Sequence, residues 1–111
     1  MKPLVFLTLL SIFSFNLLAA GNVNSKVEFV RVDKSGKGYI KFTAALAGSK
    51  PSCTTSGHSN SLAFRLSDVG GPGILSMALA AKATGSKVQA YGTGACGIYG
   101  VMEDWNYGLI K

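Results

Sequence analysis

The side chains with chemistry to offer are Cys53 and Cys96, the single His58, the adjacent Glu103 and Asp104, and the aromatic group Tyr91, Tyr99, Trp105 and Tyr107. Two thiols and one imidazole raise a nucleophile or a metal site first. A thiol nucleophile requires a base and an orienting group, and it would leave the other cysteine unpaired. Zinc-type sites require more ligands, at recognised spacings, than these three residues supply. One Cys53–Cys96 disulfide in an oxidising compartment is the expectation instead, worth about 4 kcal/mol for a loop of this length. His58 lies in the polar run Ser56-Gly57-His58-Ser59-Asn60, and no serine sits in a nucleophile-elbow pattern, so a solvated loop histidine is expected. Neighbouring carboxylates on an extended segment point to opposite faces, which argues against a catalytic Glu103/Asp104 pair and for a charged surface turn. No enzyme activity, cofactor or metal is expected.

The aromatics are the better candidates, as ligand-binding residues. Tyr91, Tyr99, Trp105 and Tyr107 surround a glycine-rich stretch and the final segment, and a ring face with a polar tip suits sugar rings or a partner surface. For Trp105, half-buried packing is the competing expectation. The stretch Gly92-Thr93-Gly94-Ala95-Cys96-Gly97 lacks the following helix, the Lys and the Ser or Thr of a phosphate loop. It is expected to be a flexible connection that lets Cys96 reach Cys53.

These residues need a scaffold, and the chain start says where it works. Lys2, the apolar run Leu4 to Leu18 and the small residues Ala19, Ala20 and Gly21 have the pattern of a secretory signal over residues 1–20. A single transmembrane anchor competes, but the run is shorter than the roughly 20 residues that span a bilayer and no basic stop-transfer cluster follows. Cleavage after Ala20 and cleavage after Gly21 fit the sequence equally. The expected product, residues 21–111, is one domain, exported to the periplasm or secreted, with no stable membrane anchor after cleavage. Its ten basic and five acidic side chains favour acidic partners. The lysines are dispersed instead of forming a run, and an exported protein has little access to nucleic acid, so anionic lipids or glycans are the better candidates. Scattered lysines also keep a small protein soluble.

Residues 27–33 and 39–44 have strand composition around the turn Lys34-Ser35-Gly36-Lys37-Gly38, a hairpin with Ile40 and Phe42 on its buried face. The Ser, Thr, Gly and Pro of residues 48–60 predict an exposed loop. Leu62, Phe64 and Leu66 alternate inward on a third strand. Pro72 at a first helical turn, a stripe of Ile74, Leu75, Met77, Ala78, Leu79 and Ala81, and Gly85 as C-terminal cap predict a helix. Residues 87–91, a short extended piece at 98–102, and an alternating stretch from Trp105 onward follow.

Three strands, a helix and two further strands is the order of an OB-fold, a five-stranded barrel with one helix after the third strand. A two-layer α+β sandwich fits the same order. The leader, the cysteine in the second loop, the helix from Ile74 to Gly85, the strand Lys87-Val88-Gln89-Ala90-Tyr91 and the second cysteine, Cys96, together resemble small exported bacterial proteins related to the binding subunit of subtilase cytotoxin. The resemblance implies an OB-like fold with an intrachain disulfide. It also implies a homo-pentameric ring that binds sialylated glycans and delivers a separate catalytic subunit. The expected function is a secreted, non-enzymatic binding protein of that kind. The alternative is a small monomeric envelope protein that binds an anionic surface or a protein partner.

Overall fold

The computed structural model describes residues 20–111, so the expected leader lies, apart from Ala20, outside the described residues. The chain forms β1 (Gly21–Val32), β2 (Lys37–Phe42), β3 (Ala47–Gly48), β4 (Ser61–Arg65), the helix α1 (Gly71–Thr84), β5 (Lys87–Gly92) and β6 (Glu103–Ile110). This is a small, sheet-rich α+β fold. Five strands close into a ring, β1 to β2 to β4 to β6 to β5 and back to β1, while β3 extends the start of β1. Among the described residues the β4–β6 contact is the one parallel pairing, aligning Leu62 with Glu103 and Ala63 with Asp104. The other pairings are antiparallel.

Closure depends on β1, whose 12 residues serve two neighbours. Its first half, Asn22 to Lys26, pairs with β5, and its second half, from Val27, pairs with β2. The register breaks between Val27 and Phe29. Before the break Val23, Ser25 and Val27 are buried; after it Val30 packs on the core while Phe29 and Arg31 are exposed. One extra residue in a strand turns every following side chain to the opposite face, and that turn moves an aromatic and a cation onto the surface.

Inside the ring Val27, Ile40, Phe42, Leu62, Phe64 and Val88 form the core. Gly38 is needed where β2 crosses Phe64, because a Cβ there would sit 2.7 Å from the ring and 2.5 Å from the Arg31 carbonyl oxygen. The helix packs chiefly on β1 and also touches β4, β5 and β6. Pro72 stands in its first turn, and Gly85 ends it with φ 69°, its N–H donating to the Ala81 carbonyl.

Several expectations need correction. The helix buries a narrower stripe than its apolar residues suggest: Ala78 and Ala81 are buried, Ile74 and Leu75 are partly buried, and Leu79 is 52% exposed. Small residues at the contact let the helix lie close to the sheet, leaving the larger flank outside. Residues 98–102 form turns instead of an extended piece. The stretch expected to be loop, residues 48–60, begins with the last residue of β3 and carries a short 3-10 turn, Ser56–His58. In place of the expected surface turn, Glu103 and Asp104 begin β6, with Glu103 0% exposed and Asp104 partly buried.

Candidate binding face

The site is assembled by two loops and the β1–β2 hairpin. Cys53 and Cys96 are joined, with their Cα atoms 6.2 Å apart, which fastens the β3–β4 loop to the β5–β6 loop. Beside the bridge the Thr55 N–H donates to the Val101 carbonyl at 2.9 Å. Asp104 fixes the same loop from below. Its Oδ2 accepts from the Gly97 N–H at 2.9 Å and its Oδ1 from the Ile98 N–H at 3.1 Å. The glycines around Cys96 thus serve a defined loop, fixed at several points.

Held in this way, Tyr99 reaches the hairpin. Its ring meets Tyr39 edge-on at 5.9 Å, and Tyr39 meets Phe29 in the same manner at 5.8 Å. Three cations lie over this aromatic row: Arg31 5.6 Å from the Tyr39 ring, Lys37 5.9 Å from Tyr99 and Lys41 5.5 Å from Phe29. The strand register causes the pairing, since Arg31 stands opposite Tyr39 and Phe29 opposite Lys41. Among the described residues no enclosed pocket is present, so the row forms an open face.

Asp33 joins the two halves of the face. One oxygen accepts from Arg31 Nε at 2.8 Å and the other from the Tyr99 hydroxyl. The Tyr99 hydrogen bond, followed by that of Arg31, holds the Asp33 carboxyl below its usual range. Burial, followed by the hydrogen bond to Asp33, raises the Tyr99 pKa above that of an ordinary phenol. The Asp33 hydrogen bond raises Arg31 too. The exposed Lys41–Glu28 pair, at 3.8 Å, adds little to stability.

His58 lies in its loop, as expected, but is partly buried there. The bridged loop folds back so that its ring lies 6.0 Å from Tyr39, and its Nδ1 is buried with no hydrogen-bond partner among the described residues.

The four expected binding aromatics fall in three places. Tyr99 belongs to the row just described. Tyr91 and Tyr107 stack on each other at 4.6 Å across β5 and β6, with Gln89 Nε2 donating to the Tyr91 hydroxyl at 2.7 Å. Trp105 packs against the core, over Gly108, where a Cβ would come within 2.7 Å of the indole. Phe29, Tyr39 and Arg31 were not among the expected binding residues. Their signal is the spacing Phe29-x-Arg31 on one hairpin strand and Tyr39-x-Lys41 on the other, which puts each pair on one face.

Comparison with protein-family models, with curated proteins and with solved structures finds no match. The face offers ring faces and edges for stacking, cations for an anionic group, and a carboxylate that orders one of those cations.

Proposed function

We propose that the ring is an OB-type barrel and that the protein is an exported, non-enzymatic, glycan-binding protein whose ligand carries a carboxylate, as sialylated glycans do. The observation that carries this reading is the Phe29–Tyr39–Tyr99 row with Arg31, Lys37 and Lys41 over it. Sugar rings pack on aromatic faces, and a lysine or arginine beside them selects an acidic sugar. The location supports it as well. In OB barrels the loops between the first two and the last two strands border the ligand face, and Asp33 and Tyr99 occupy the corresponding loops here. The likeness to toxin binding subunits adds a homo-pentameric ring and a separate catalytic partner to the proposal.

The test is retention of the oxidised protein on immobilised sialylated glycans and on the same glycans after sialic acid removal. Selective retention that Tyr39→Ala weakens about ten-fold, equivalent to about 1.4 kcal/mol, supports the reading. Equal retention on both surfaces sinks it. Light scattering that gives a monomer at all concentrations removes the ring.

A further inference from the structure

Glu103 is fully buried, yet among the described residues no lysine or arginine pairs with it. Its partners are backbone N–H groups. Gly21 N lies 3.0 Å from Oε1 and 3.1 Å from Oε2, and Gly94 N lies 2.9 Å from Oε2. The surrounding backbone makes room for the carboxylate: a Cβ on Gly92 would fall 1.8 Å from Oε2, and one on Gly21 would fall 2.8 Å from Oε1. A buried carboxylate is expensive without an opposite charge. One nitrogen spanning both oxygens is the geometry of an ammonium on a carboxylate, and that nitrogen belongs to a residue at the expected leader boundary.

We infer that the leader is removed between Ala20 and Gly21 and that the new Gly21 α-ammonium is received by Glu103 as a buried ion pair. The inference rests on the export reading. In the cleavage, water attacks the Ala20 carbonyl carbon and the Ala20–Gly21 C–N bond breaks. The oxygen stays on the Ala20 carboxylate, and both water hydrogens end on the Gly21 amine as its ammonium, the catalyst being a signal-peptidase-class protease acting on the exported chain before it folds. Cleavage after Gly21 would remove the nitrogen that Glu103 holds, together with the buried first residue of β1. Cleavage after Ala19 would put the charge one residue too early. The uncleaved chain offers Glu103 only a neutral amide, so processing itself strengthens the fold.

Expression of the full chain in a bacterial host, followed by intact mass and amino-terminal sequencing of the exported protein, gives the first test. A mature protein starting at Gly21 supports the inference, and one starting at Ala20 or Asn22 overturns it. A chain retaining Met1 inside the cell overturns the export reading, and the inference with it, and its mass distinguishes that case. The second test uses purified protein starting at Gly21, the same protein acetylated at the α-amine, and a version retaining Ala20. Both capped forms are expected to melt at least about 4 °C lower, with the difference abolished by Glu103→Gln. Equal melting of all three overturns the ion pair, and this comparison stands even where Glu103→Gln fails to fold.

Discussion

The Tyr99 hydroxyl donates to the Asp33 carboxylate, which ties the β5–β6 loop to the β1–β2 turn. The tie is sensitive at both ends of the pH scale. Tyr99 has a raised pKa in the folded protein, so its contribution to stability is complete below the ordinary phenol value of about 10 and is lost as pH climbs through the folded value. Urea unfolding followed into alkaline pH is expected to show a loss of stability that Tyr99→Phe reduces.

On the acid side the sign is opposite. Asp33 has a lowered pKa, so its contribution is complete above the ordinary aspartate value of about 3.9 and fades as pH falls through the folded value. Asp33→Asn should flatten the acid limb of a stability-versus-pH curve measured by urea unfolding. A curve parallel to that of the unaltered protein would contradict the assignment.

Opening the bridge should cost stability and the site together. The Cys53→Ser, Cys96→Ser double variant is expected to lose about 2–5 kcal/mol in urea unfolding. Its retention on sialylated glycan should fall, since the loop that carries Tyr99 loses its covalent tie and keeps only its hydrogen bonds.

The two aromatic sites can be separated. Tyr91→Ala and Tyr107→Ala break the stack across β5 and β6 and are expected to leave glycan retention unchanged, whereas Tyr99→Ala and Tyr39→Ala weaken it about ten-fold. Retention lost through Tyr107 instead would move the site to the other face.

In the core, Phe64→Ala leaves a cavity beneath Gly38 and should cost about 3–5 kcal/mol by thermal or urea unfolding. Leu79→Ala, on the exposed helix flank, should change stability by no more than about 0.5 kcal/mol.

The elements with local causes were legible from the residues. Ile40 and Phe42 alternate with polar neighbours and are buried; Val88 and Ala90 do the same; Pro72 and Gly85 bracket the helix. The Cys53–Cys96 bridge matches what the count of two cysteines behind a leader-like segment leads one to expect. What escaped depends on distant contacts. The buried state of Glu103 requires Gly21 and Gly94 to converge on it, and nothing near Glu103 in the chain announces that. The outward turn of Phe29 and Arg31 comes from a one-residue irregularity opposite β2, which composition does not mark. Tyr99 stands out as a candidate but its neighbours do not, because Tyr39 and Phe29 lie some sixty to seventy residues earlier and come to it only through the closed ring.

The Cys53–Cys96 bridge also makes the aromatic row sensitive to redox conditions, because it fastens the loop that carries Tyr99. With the bridge reduced, Phe29 and Tyr39 keep their places on the hairpin, whereas the loop carrying Tyr99 is left with its hydrogen bonds to Asp104 and Asp33. The state of two sulfur atoms thus decides whether a residue from the second half of the chain is covalently held beside two aromatic rings from the first.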